Sequence, residues 1–194
     1  MARPKKFDHD EVMEKAMLLF WKKGFHGTSV QDLVDHLGIN RSTMYASFGD
    51  KDKLFLDSLK YYRKQQKETM HEQMRGGRPF CEFLESFLDG AIEESLKDPE
   101  KKGCFIVNAS VDVASDDPQT CSEIQQNLTE FTGSFKFLMD EAKENGEISQ
   151  DADTTQLAHF LYNTISGIKV ISRIQPDTDV LKNVKQVALK AILK

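Results

Sequence analysis

A chain of 194 residues with a net charge of −5 has room for a small head and a larger body, and its acidic balance excludes binding nucleic acid through bulk charge. No apolar run reaches membrane-spanning length and no signal-peptide pattern opens the chain, so the expected location is the cytoplasm, with no membrane partner. Three scattered cysteines, an odd number, fit a reducing compartment without a disulfide framework.

The chain opens on a short basic arm, Arg3, Lys5 and Lys6 around Pro4, suited to phosphates or to a minor groove. A first helix over 8–23 repeats apolar residues at Val12, Ala16, Leu19 and Phe20, with acids crowding its first turn. Phe20, Trp21 and Phe25 are the expected core of the head. Thr28, with Gln31 three residues on, reads as the capping box of a second helix whose apolar stripe is Val30, Leu33, Val34 and Leu37. Gly38 supplies the reversal, and Asn40 caps a third helix that is polar at Arg41, Ser42 and Thr43 and apolar at Met44, Tyr45 and Phe48. Helix, Gly-containing turn and helix with a polar start make a helix-turn-helix, whose second helix fits a major groove. Arg41 can pair bidentately with guanine or grip a phosphate, and Ser42 and Thr43 can donate to phosphates or meet base edges. Thr28 and Ser29, at a helix start, are further phosphate candidates. Residues 1–54 carry nine Lys/Arg against eight Asp/Glu, a net of +1, so a few placed cations have to do the work of contact.

The run from Phe20 to Phe55 resembles the DNA-binding domain of the TetR family of transcriptional regulators. The resemblance is carried by Gly24 and Phe25, Thr28, Val30, Leu33, Gly38 and Ile39, Thr43, Tyr45, Phe48, Lys51, Leu54 and Phe55. The opening Arg3-Pro-Lys-Lys-Phe-Asp8 and the later Gly103-Cys-Phe-Ile-Val-Asn108 are similar to one branch of that family. Similarity is dense over the first quarter of the chain and sparse afterwards; Val34 departs from the small residue usual there. The resemblance implies a phosphate contact for Tyr45, and another for Lys51 at the start of the fourth helix.

That fourth helix runs from Asp50 to about Arg75, long enough to link head and body, and Gly76 with Gly77 ends it. Helix five opens at Pro79 and lines one face with Phe80, Phe83, Leu84, Phe87, Leu88, Ala91 and Ile92. An apolar helix over about 104–114 follows, then helix seven from Pro118 to Asn145. Asp153 and Gln156 start helix eight, and Pro176 punctuates before helix nine. The expected fold is all-α, about nine helices: a helix-turn-helix head over 1–54, and an effector-binding and dimerisation bundle over 55–194.

Helix eight is apolar around more than one face, which asks for its own body on one side and a second chain on the other. Phe160, Leu161, Ile165 and Ile168, with Val184, Val187, Ala188 and Ala191 of helix nine, are the expected dimer contacts. A two-fold dimer presents two recognition helices to double-stranded DNA and predicts a palindromic operator. His159 is expected in the core or that contact rather than on a metal. Phe83, Phe87, Phe105, Phe131 and Phe135 are candidates for an apolar pocket for a small-molecule effector, with Asn108 as a polar anchor. Cys104 follows Lys101, Lys102 and Gly103 at a helix start, an electropositive place that favours thiolate chemistry and makes it a candidate redox sensor. No metal spacing, cofactor loop or nucleophile–base–orienter set stands out, so neither a cofactor nor an enzyme is expected. The reading is a dimeric DNA-binding regulator, a repressor released by an effector. Its alternatives are a thiol-sensing repressor acting through Cys104 and, more distantly, a small helical enzyme with a vestigial head.

Overall fold

The computed structural model describes residues 8–74 and 77–193, so Arg3, Lys5, Lys6 and the Gly76 end of the fourth helix lie outside the described residues. Nine helices and no strand occur among those described: α1 (His9–Lys23), α2 (Val30–Leu37), α3 (Arg41–Phe48), α4 (Lys51–Met74), α5 (Phe80–Lys97), α6 (Phe105–Asp112), α7 (Pro118–Glu144), α8 (Thr154–Ile174) and α9 (Thr178–Ile192).

Most starts are set by short polar side chains. Asp8, Asp117, Asp153 and Asp177 each accept a backbone N–H of the following turn, as orphan helix donors require. The cap of α2 is Ser29 rather than Thr28, and its reciprocal partner is Asp32 rather than Gln31. Thr28 is unavailable because its hydroxyl turns back to the Gly24 carbonyl at 2.7 Å and the residue is 1% exposed. At α5, Pro79 stands one position before the helix and has no capping side chain. Glu147, from the loop after α7, supplies the missing acceptor to the N–H groups of Phe80 and Cys81 at 3.1 and 2.9 Å. Gly38 ends α2 at φ 66, ψ 26, a left-handed turn that an L side chain would strain.

Two apolar cores result, and α4 serves both. Leu54, Phe55, Leu59 and Tyr62 of its first half join Phe20, Leu33, Met44 and Phe48 of the head and Phe105, Ile106 and Ala109 of α6. Met70 and Met74 of its second half pack on the body core of Phe83, Leu84, Leu88, Phe135, Met139, Leu161 and Ile168. With 24 residues at ~1.5 Å each, α4 spans ~36 Å and reaches from one core to the other.

The acidic caps make stability pH-dependent in a definite direction. Hydrogen bonds from Thr120 hold Asp117 below the usual carboxylate range, and the backbone N–H of Gln156 does the same for Asp153. A carboxylate depressed in the folded state contributes fully above its unfolded value and loses that contribution as the pH falls through its folded one. The melting midpoint should therefore fall as the pH drops below about 4. Asp153→Asn, which keeps a cap but cannot titrate, should flatten that fall in a pH series of thermal melts.

Candidate nucleic-acid interface and ligand cavity

The head places α3 with Met44 and Phe48 buried and its other side open. Asn40 accepts the N–H of Thr43 at 2.8 Å, which fixes the first turn. Arg41, Ser42 and Tyr45 then share the exposed face, and Thr43 sits half-buried at its flank. The Arg41 guanidinium lies 6.0 Å from the Tyr45 ring centre, so the ring holds the cation on the surface without consuming its N–H fork. A rigid short helix with a guanidinium, hydroxyls and a phenol on its outer face can read base edges and hold phosphates.

Three other expected contacts are placed differently. Thr28 is buried with its hydroxyl bonded internally, so its side chain is withheld from any phosphate. Ser29 is exposed but committed: its hydroxyl accepts from Asp32 N at 3.0 Å and donates to the Asp32 carboxylate at 2.5 Å. That carboxylate is held well below the usual range by Lys23, 2.6 Å away at the end of α1, together with Ser29. Lys51 donates to the carbonyls of Phe25 and Thr28, both at 3.0 Å, and lies 4.0 Å from the centre of the Phe25 ring. Its ammonium pins the loop between α1 and α2 from below. Asp112, at the end of α6, grips the same loop from the body side, accepting from Phe25 N at 2.9 Å through its carboxylate and meeting His26 Nε2 through its carbonyl at 3.2 Å.

The body holds a cavity of about 710 Å³, partly open to solvent, among α4, α5, α6, α7 and α8. Phe87 and Phe131 are in its wall, as the aromatic pattern suggests. Phe83 and Phe135 stand behind them in the core, their centroids 5.9 Å from Phe87 and 4.6 Å from Phe131. Phe105 belongs instead to the head core, edge-on to Phe55 at 5.6 Å. Asn108 is a strut: it donates to the Lys102 carbonyl at 2.8 Å and accepts from Arg173 Nη1 at 2.9 Å. Residues without an obvious signature complete the wall, among them Tyr62, Arg63, Asn127, Tyr162 and Lys169. The one trace in the sequence is on α7, where Asn127, Glu130, Phe131 and Ser134 keep helical spacing but mix polar with apolar groups on an inward stripe.

Charge in that cavity is internally matched. Arg63 Nε meets the buried Glu123 at 2.8 Å, Lys67 meets Glu130 at 3.5 Å and Lys169 meets Glu94 at 2.6 Å. Burial pushes the Tyr62 and Tyr162 phenols up, so both stay protonated. Tyr62 donates to Cys104 Sγ at 3.8 Å and Tyr162 to Asn127 Oδ1 at 3.4 Å. Cys104 is thus part of the wall. Of the cations expected to activate it, Lys102 is taken by Asp98 at 2.9 Å and Glu100 at 3.2 Å rather than left facing the sulfur. Among the described residues no group of three His, Cys, Asp or Glu is placed to hold a metal, and no helix is long and apolar enough to cross a membrane.

Helices α8 and α9 each divide into two faces. Leu161, Ile168 and Ala188, expected between chains, are buried within this one, and Ile165 is turned to the cavity. Phe160, Val184, Val187 and Ala191 are exposed, as a contact between chains requires, and His159 is exposed beside Phe160, outside the core of this chain. Val170, Ile171, Ile174 and Val180 extend that open apolar face.

Comparison with known proteins finds family matches in both parts of the chain. Residues 12–57 match the family model described as bacterial regulatory proteins, tetR family, and residues 81–188 match that of the tetracyclin repressor-like C-terminal domain. The HTH-type transcriptional regulator YezE of Bacillus subtilis is 29% identical over 194 residues, covering 99% of this chain and 100% of that protein. The HTH-type transcriptional repressor ComR of Escherichia coli is 29% identical over 89% of this chain and 82% of its own. Among solved structures, a cysteine mutant of the TetR family transcriptional regulator CifR, complexed with 26-bp double-strand operator DNA, superposes with a TM-score of 0.87. It is 25% identical, over 98% of this chain and 100% of that one.

Proposed function

The chain belongs to the tetR family of bacterial regulatory proteins, and from that premise we propose that it is a dimeric, sequence-specific repressor released from a palindromic operator by a small molecule. The observation that carries the DNA half of this reading is the outer face of α3, where Arg41, Ser42 and Tyr45 stand exposed on a helix locked by Asn40 and by buried Met44 and Phe48. The open apolar stripe of α8 and α9 supports a two-fold contact, which presents two such helices to one duplex. CifR in complex with operator DNA supports the same use of the fold.

The cavity supports the effector half. Its cations are each opposed by a carboxylate and its phenols are protonated, so a charged ligand would find no uncompensated partner there. Phe131 lies 6.3 Å from Phe87 and edge-on to Tyr162 at 5.2 Å, a wall suited to a flat ring. A neutral, largely aromatic compound is the effector this site fits. The route outward is short: α6 lines the cavity with Ile106 and Val107 and holds the head loop with Asp112. An effector has to favour the arrangement that fits the operator poorly.

Selection of bound sequences from a random duplex pool tests the DNA reading. An enriched palindrome is expected, and Arg41→Ala should cost on the order of 1–3 kcal/mol and relax preference at one position of each half-site. An unchanged affinity and logo for that variant would place recognition elsewhere.

A further inference from the structure

A second cavity, about 460 Å³, lies between α1 of the head, the loop 98–104 and the end of α8. Glu94 and Lys169 border both this cleft and the larger cavity, and their ion pair is shared between the two. The charge balance differs. Lys97 is matched by Glu93 at 2.6 Å, Lys102 by Asp98 and Lys169 by Glu94. Arg173 and Lys101 also line the cleft, and neither has a carboxylate partner among the described residues.

The guanidinium is held in place, and the backbone that carries the exposed Lys101 ammonium is fixed beside it. Arg173 donates through Nε to the Lys101 carbonyl at 3.0 Å and through Nη1 to Asn108 Oδ1 at 2.9 Å, which fixes the plane of its guanidinium while leaving N–H groups over. Lys101 sits at φ 50, a left-handed conformation that non-glycine residues keep only where the surroundings impose it. The loop is pressed against α8 so closely that a Cβ on Gly103 would stand 2.6 Å from Arg173 Cδ and 3.1 Å from the Lys169 carbonyl. Leu18 and Trp21 of α1 supply an apolar part of the lining, with the Lys102 ammonium 5.4 Å from the centre of the Trp21 ring.

We propose that this cleft is a second ligand site, taking a small aryl carboxylate whose anionic group meets Arg173 and Lys101 and whose ring lies against Leu18 and Trp21. It is distinct from the neutral effector cavity in the chemistry it selects. Its walls come from head and body together, so an occupant fixes one against the other and makes operator affinity depend on the anion.

Trp21 is the chain's single tryptophan and reports on the cleft directly. The full-length protein is titrated with benzoate, with neutral benzamide and with inorganic phosphate at constant ionic strength, following indole fluorescence. Saturable binding of benzoate, and much weaker binding of the other two, is expected. Lys101→Ala should weaken benzoate by about fivefold or more. Alanine at that φ is no less strained than lysine, so the comparison isolates the ammonium. Phe131→Ala, in the wall of the larger cavity, should leave benzoate affinity unchanged. The proposal is overturned if benzoate fails to saturate or benzamide binds equally well. It is also overturned if inorganic phosphate matches benzoate, if Lys101→Ala has no effect, or if Phe131→Ala removes the binding. Operator affinity measured in parallel separates the readings, since its survival when benzoate fails leaves the DNA function standing.

Discussion

Lys51→Met should destabilise the head by on the order of 3 kcal/mol and leave the salt dependence of DNA binding unchanged. The family resemblance implies a phosphate contact for this lysine, and loss of one phosphate contact lowers the salt slope by about one unit. The structure spends the ammonium otherwise. Two carbonyls, of Phe25 and Thr28, accept from Nζ, and the Phe25 ring lies under it. Methionine fills much of the same space but takes the donor from the Thr28 carbonyl and leaves the Phe25 carbonyl with the Thr28 N–H alone, at 3.2 Å, in a partly buried place. Those carbonyls belong to the loop that sets the start of α2, so affinity for every sequence should fall as the head loosens. A lower melting midpoint with an unaltered slope is the expected pair of results. An unaltered midpoint with a slope reduced by about one would return Lys51 to the phosphate backbone.

The contrast shows what a sequence can and cannot carry here. The turn at Gly38, the cap at Asn40 and the buried pair Met44 and Phe48 are local, decided by residues within four positions of one another. All were legible. Lys51 depends on carbonyls 23 and 26 residues away, and nothing in the spacing announces them. The phenylalanines failed for another reason. Core aromatics and cavity aromatics recur with the same helical period, so Phe87 and Phe131 could not be told from Phe83, Phe135 and Phe105. What marks the cavity is a polar residue where the period demands an apolar one, as at Asn127 and Ser134. On α9 the two faces were visible, but not which one turns inward. Lys185 obscured the inner stripe further: it is buried among Leu181, Ala188 and Ile192 because Glu85 and Asp89 of α5 meet its ammonium at 3.1 and 2.6 Å. A buried lysine with such partners is affordable; without them it reads as surface.

The outward stripe then decides the oligomer. Val180, Val184, Val187 and Ala191 fall on one face of α9, beside Phe160, Val170, Ile171 and Ile174 on α8. Val187 is 63% exposed and Ile174 77% exposed, apolar surface that water covers at a cost in a lone chain. Val187→Glu puts a carboxylate there from each chain. In a two-fold contact the same patch faces its own copy, so both charges enter one desolvated region and repel. The dimer should weaken by about a hundredfold or more, the scale of a hot-spot residue. The monomer should melt within ~0.5 kcal/mol of the parent, because the side chain touches little of its own chain. Sedimentation at micromolar concentration should show the monomer, and operator binding should fall with it, since one head alone reads only half a palindrome. Gln186→Glu, exposed on α9 away from the stripe, adds the same charge and should change neither. If Val187→Glu stays dimeric and binds the operator normally, the contact lies on another face of the bundle. The spacing of the two recognition helices would then have to be set by something other than α8 and α9.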